Sequence, residues 1–272
     1  MVQIVLILLL LASFVLHFVA GPVPVSFFAF PLNVILLVLW GVVIIWLWRK
    51  CRKSLLVGYM LTPSATFWAI GLLLAFSLAA GLTGMRWLTQ TWPFFFVVSY
   101  FITVLTFVIL RGFRAATPTG ARLGEVRWRF VFLHVGLLLT VITGYVGAPD
   151  NDEMTLKLNM DIESHEGAGI ELVDFQLDTY ENGTPSEFRA VTLIDGKEVI
   201  LKVNHPYSRR FGEDIYLTGY DRAAGADSRY CVIQIVRDPW KYGVAAGIII
   251  MMIGALMLFV GGPRRNYSND ID

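Results

Sequence analysis

Six apolar runs, at about 3–20, 26–48, 65–85, 93–110, 130–147 and 243–262, constrain this chain more than any other feature. Each is long enough to cross roughly 30 Å of hydrocarbon as a helix rising about 1.5 Å per residue. A helix suits that setting because it satisfies every backbone N–H and C=O within its own segment. A mean hydropathy of +0.63 and a charged share of 16% fit a polytopic membrane protein rather than a soluble domain. The first run lacks a basic leading region and a convincing small-residue cleavage site, so it reads as a retained helix rather than a signal peptide.

Charge then sorts the loops. Arg49, Lys50, Arg52 and Lys53 follow the second run, and Arg111, Arg114, Arg122, Arg127 and Arg129 lie between the fourth and fifth. Arg264 and Arg265 follow the sixth, while the short loops of the opposite side hold only Arg86. By the positive-inside rule both termini are cytoplasmic and 148–241 is extracytoplasmic. Trp87, Trp92, Trp240 and Tyr242 fall where an outer aromatic belt would sit.

The stretch 149–240 is a different material. It carries 18 acidic residues against nine basic ones, a local balance of −9. Segments at 155–160, 169–179, 187–194, 198–204, 214–220 and 229–236 mostly alternate apolar and polar residues and predict strands. Asp195-Gly196 predicts a hairpin turn, and Asn182-Gly183 another. The expected fold is a polytopic α-helical membrane protein of about six transmembrane helices. One small antiparallel β domain, a sandwich or a curled sheet, is inserted before the last helix.

Few residues offer chemistry. Cys51 and Cys231 fall on opposite sides of the expected membrane and cannot pair, so each reads as an ordinary small side chain. His165, flanked by Glu163 and Glu166, and His205, ahead of Pro206, read as solvated loop histidines. His17 and His134 are different, because they fall inside apolar runs that hold no acid and no lysine. An ionisable residue within a membrane span is a functional hypothesis; the plainer alternative is a neutral imidazole hydrogen-bonded to a neighbouring helix.

Depth separates the two histidines. His17 lies about 20 Å above the inner end of the first span, and His134 only about 6 Å above that of the fifth. Axial nitrogens of one haem stand about 4 Å apart, so these two, separated by about 15 Å, cannot share an iron. A quinol-oxidising cytochrome b is disfavoured on that ground. If His134 ligates haem, a second chain supplies the other ligand.

Several stretches together resemble the ResB (CcsB) family of System II cytochrome c maturation. In VNHPYSRRFGEDIYLTGYD (203–221), Val203, Asn204, Pro206, Gly212, Tyr216 and Tyr220 occupy the places of a V-N-x-P…G…Y…Y pattern. Asp238 and Pro239 then match a V-x-x-D-P step into the final helix, where Gly247 and Gly254 match its glycines. RWLTQTWPFFFVVSY (86–100) resembles the family's S/T-W-P-F helix start, and RFVFLHVGLLLTVITGYVG (129–147) its H-x-G helix before the ectodomain. The likeness covers roughly residues 60–262. The first two spans are additional to the family's four-helix core, and the ectodomain is short for it, as in compact forms fused to or beside a CcsA protein.

The resemblance implies a membrane subunit, in the bacterial cytoplasmic membrane, that conveys haem b outward and supports its attachment to the CxxCH thiols of apocytochrome c. His134 would be an axial ligand of haem iron, with the second ligand from a CcsA-type partner that also carries the tryptophan-rich WWD segment missing here. Thioether chemistry would then belong mainly to the partner, making this chain a co-catalytic or non-catalytic subunit. Gly136 would let a macrocycle or another helix approach closely, Arg129 is a candidate contact for haem propionates, and His17 is a weaker haem candidate. Thiol-reducing proteins are further candidate partners; nucleic acid is not. The implied layout is two added helices and a basic loop (1–53), three core helices (54–147), an acidic ectodomain (148–240), a final helix (241–263) and a cytoplasmic tail (264–272). The rival is a membrane scaffold or sensor whose β domain binds an extracytoplasmic protein while the histidines only satisfy hydrogen bonds.

Overall fold

Prolines and hydroxyl side chains decide where the helices begin. The computed structural model describes residues 1–115, 128–161 and 169–261. Six of its helices are long and apolar enough to cross a membrane: α1 (Val2–Ala20), α2 (Leu32–Lys50), α4 (Pro63–Thr83), α5 (Trp92–Ala115), α6 (Trp128–Val146) and α7 (Lys241–Gly261). At the head of α4, Thr62 Oγ1 accepts the Ala65 N–H at 3.2 Å and Pro63 fills the first helical position, where a missing N–H costs nothing. The T-W-P-F stretch works the same way: Thr91 Oγ1 accepts the Phe94 N–H at 3.3 Å, and Pro93 lies in the first turn of α5.

The second helix starts later than its apolar run. Hydropathy placed the start near 26, but Val25–Phe28 forms a 3-10 turn and α2 begins at Leu32. Pro24 and Pro31 bracket that turn and cannot donate to an i−4 carbonyl, so the helix starts only beyond the last of them. A further short helix, α3 (Leu55–Met60), was not expected. Ser54 caps it through the Val57 N–H at 3.3 Å, and Val57 and Met60 are buried. Six residues are too few for periodicity to announce.

Helix α5 is the best-covered span, 61% buried against 17% or less for the others. Its Phe101, Val104 and Phe107 share one buried cluster with Ala65 and Ala69 of α4, Ile44 of α2 and Val57 of α3. None of the residues of α1 is buried. The apolar surfaces of α1, α2, α4 and α7 therefore face outward, as lipid requires.

Residues Asp150–Lys241 form a separate compact unit. Strands β1 (Asp152–Asn159), β2 (Ile170–Thr179), β3 (Pro185–Ile194), β4 (Lys197–Lys202), β5 (Tyr207–Arg210), β6 (Glu213–Tyr220) and β7 (Tyr230–Arg237) make two antiparallel sheets. Their orders are β1-β7-β6-β5 and β2-β3-β4. Leu158, Ile215, Cys231 and Ile233 of the first sheet and Ile170, Phe175, Ala190 and Leu201 of the second share one core, so the unit is a sandwich. Asp195 (φ 49°) and Gly196 (φ 76°) form the expected hairpin turn between β3 and β4, both residues left-handed.

Two strand expectations need correction. The fourth strand ends at Lys202 rather than 204, because Asn204 turns left-handed at φ 62°. The strand β5 was missed, since YSRR shows no apolar alternation; pairing of Tyr207 with Ile215 and of Ser208 with Asp214 holds it to β6. Turn chemistry and tertiary pairing, not local pattern, decide both.

Candidate functional site: a histidine on the inner turns of α6

Position within α6 sorts its residues by neighbour. At 3.6 residues per turn, Phe130, His134, Leu138, Val141 and Tyr145 share one stripe. Along it, Leu138, Val141 and Tyr145 pack with Phe94, Val98 and Ile102 of α5, and the Phe130 ring lies against Gly112 of α5. His134 is thus on the side of α6 that turns toward α5, and it is partly buried.

The imidazole is oriented from its own helix. Its Nδ1 lies 2.8 Å from the carbonyl oxygen of Phe130, one turn earlier, and its ring stacks on the Phe130 ring with centroids 3.9 Å apart. A carbonyl only accepts, so Nδ1 carries a proton, and in the neutral imidazole Nε2 then keeps its lone pair. No described residue bonds Nε2. A neutral imidazole with one nitrogen tied to a carbonyl and the other open is the arrangement of a metal-ligating histidine. The group that orients the ring is therefore the Phe130 carbonyl of the same helix, not a neighbouring one. The Thr140 hydroxyl instead donates to the Gly136 carbonyl at 2.9 Å.

Gly136 does not belong to this site. It lies about 200° round the helix from His134. A Cβ there would come within 2.5 Å of the Met251 nitrogen and 2.7 Å of the Gly247 carbonyl oxygen of α7. Of the two uses expected for this glycine, approach by a helix is the one present, and α7's own backbone leaves a flat macrocycle no room. Gly247 and Gly254 play the reciprocal part, the latter with the Leu133 nitrogen 2.7 Å from where its Cβ would be. The G…G pattern of the last helix is a packing seam.

The other candidates are dispersed. Arg129, in the first turn of α6, is partly buried and engaged within the protein. His17 stands in the last turn of α1, edge-on to Phe18, and its buried Nδ1 has no hydrogen-bond partner among the described residues. His205 is exposed in the turn that follows β4, and His165 lies outside the described residues, as do Arg122, Arg127, Arg264 and Arg265. Cys231 is fully buried in the sandwich, which pushes its thiol up to about 12. That suits the plain structural role expected of it.

The motif residues of the tail turn out to build the β domain's closing corner, which sequence reasoning had left without a mechanism. Gly212 is left-handed (φ 73°) between β5 and β6, and a Cβ on it would come within 2.6 Å of Pro239 Cα. Its carbonyl accepts the Asp238 N–H at 2.6 Å. Asp238 Oδ1 accepts the Trp240 N–H at 3.1 Å, and the Trp240 indole donates to Asp150 Oδ2 at 2.6 Å. Glycine, Asp-Pro and tryptophan lock one turn; none is placed for catalysis.

No family model matches this chain, and no curated protein does either. Among solved structures, one described as cytochrome c haem lyase CcmF is similar, at 15% identity and a TM-score of 0.42. The match covers 69% of this chain and 33% of that one, so the chain spans about a third of the solved protein's length. At this distance the similarity carries no functional argument.

Proposed function

We propose that the chain is a membrane subunit of a System II cytochrome c synthetase, working with a CcsA-type partner to convey haem and support its attachment to apocytochrome c. The observation that carries this reading is the His134 imidazole, with Nδ1 tied to the Phe130 carbonyl and Nε2 open. Haem is the cargo here: its iron takes a neutral imidazole nitrogen as an axial ligand, and the S–H groups of the apocytochrome cysteines add across the vinyl C=C bonds of reduced haem. This chain would contribute His134 Nε2 as one ligand, the partner the other. Phe130, stacked on the ring and seated against Gly112, holds the imidazole's tilt. Arg129 remains the candidate cation for propionates, and His17 a secondary one for haem further along. In this reading both termini are cytoplasmic and the acidic sandwich faces the extracytoplasmic space, where apocytochrome is found.

The test is spectroscopic. Co-purified with a CcsA-type partner, the wild type should show a low-spin Soret band, and His134→Ala should lose most of it. Added imidazole should restore part of the band by entering the vacated site, which separates loss of a ligand from loss of the fold. Unchanged haem content in His134→Ala would overturn the assignment and favour the scaffold reading.

A further inference from the structure

A second site lies in the same bundle, away from His134. Helices α2, α5 and α6 line a half-open cleft of about 670 Å³, with Val25 and Phe28 of the short turn and Thr89 and Gln90 also on its wall. That volume falls within the range of small-molecule clefts. Val141 is its boundary on the His134 stripe, seven residues or about 10 Å further along α6. The two sites therefore occupy different depths.

The lining selects the occupant. Phe28, Phe94, Phe95 and Tyr145 form an aromatic wall, with Phe95–Tyr145 centroids at 6.3 Å and Phe94–Tyr145 at 5.9 Å. Among the described residues, no lining side chain is charged, and none is histidine, cysteine or methionine. Haem is a poor fit, because its propionates would meet no countercharge among the described lining residues. Phospholipid headgroups fit poorly for the same want of a countercharge.

Polar groups do line it. The Ser99 and Tyr145 hydroxyls reach the cavity and donate to nothing among the described residues, and the Asn33 amide, which donates to the Val146 carbonyl at 3.1 Å, stands beside them. Hydroxyl donors without acceptors call for a carbonyl oxygen on the ligand. We propose that this cavity binds a neutral, carbonyl-bearing membrane lipid, its head at Ser99 and Tyr145 and its apolar tail against the Phe94–Ile102 face of α5. Two sources share that chemistry, a lipid-soluble quinone and a diacylglycerol.

Photo-crosslinking of the full chain in lipid nanodiscs tests it. The probes are a benzoquinone, a diacylglycerol and a phosphatidylglycerol, each with the same diazirine-bearing tail. At least one neutral probe should label peptides spanning 94–102 and 140–149 well above the phosphatidylglycerol probe, and the stronger of the two identifies the source. Tyr145→Phe should lower that labelling about fivefold, the worth of one hydrogen bond. Ser99→Phe, which removes one hydroxyl and puts a ring where the head would sit, should cut it sharply, with thermal unfolding confirming that the variant remains folded. Equal labelling by the anionic probe, or full labelling of folded Ser99→Phe, would overturn the proposal.

Discussion

At the scale of single residues, environment rather than identity sets the chemistry. His134 and His17 look alike in sequence, each an imidazole in an apolar helix. Their difference comes from one carbonyl: Phe130's holds Nδ1 of His134, while Nδ1 of His17 meets none among the described residues. That His134 is out of place among apolar residues and needs a polar partner was legible in the sequence. Which group served it was not, because only the rotamer decides between the i−4 carbonyl and a side chain. Cys231 makes the complementary case. Burial between the sheets pushes its thiol up to about 12, so at pH 8 it is protonated and unreachable. In the native protein at pH 8, a maleimide should leave Cys231 unmodified, and denaturant should expose it. Stoichiometric labelling of Cys231 without unfolding would contradict the packing described here.

At the scale of elements, most of the legible pattern proved to concern packing and turns. The spans were visible because a helix in lipid must be apolar along its length, and the hairpin because Asp-Gly tolerates two left-handed residues. The glycines of α6 and α7 were visible as letters but not as partners; which glycine meets which backbone depends on crossing geometry. The seam makes a sharp prediction. Gly136→Val should destabilise the bundle by about 1–3 kcal/mol, the usual cost of overpacking, because backbone atoms of Met251 and Gly247 occupy the space. Gly71→Val in α4, which meets nothing within 4 Å, should change the unfolding midpoint little. Equal midpoints for the two variants would remove the α6–α7 seam from the account.

The sandwich carries a pH signature of its own. Burial of Asp214 would raise its pKa, but hydrogen bonds from the Lys241 ammonium and from Ser208 Oγ, at 2.7 Å, outweigh it and hold the carboxyl below its ordinary 3.8. A carboxyl depressed in the folded state stabilises the fold above its unfolded value and loses that contribution as pH falls through the folded one. The β domain's melting temperature should therefore drop as pH falls below about 3.8. Asp214→Asn should melt lower than wild type at pH 7, and the gap should narrow in acid. A gap that stays constant down to pH 2 would mean the ion pair contributes nothing.

At the scale of the whole molecule, two units with opposite demands share one chain. One presents apolar helix surface to lipid; the other holds 18 of the 21 acidic residues and buries its apolar side chains in a sandwich. Composition foretold that division, because neither material survives in the other's solvent. It also foretells direction. By the positive-inside rule the proposed orientation puts the short Lys- and Arg-rich loops in the cytoplasm, Arg49, Lys50, Arg52 and Lys53 on the same side as Arg111 and Arg114. An acidic domain resists nothing in translocation, since the rule counts cations near span ends rather than net charge. Alkaline phosphatase, active only outside the cytoplasm, should be active when fused after residue 180 and inactive when fused after residue 53 or residue 115. Adding four lysines between Met85 and Trp92 should weaken that preference by placing a competing cation cluster on the outer side. Activity at residue 53 together with inactivity at 180 would invert the topology, and His134 would then lie near the outer face, where haem delivered from the cytoplasm arrives last rather than first.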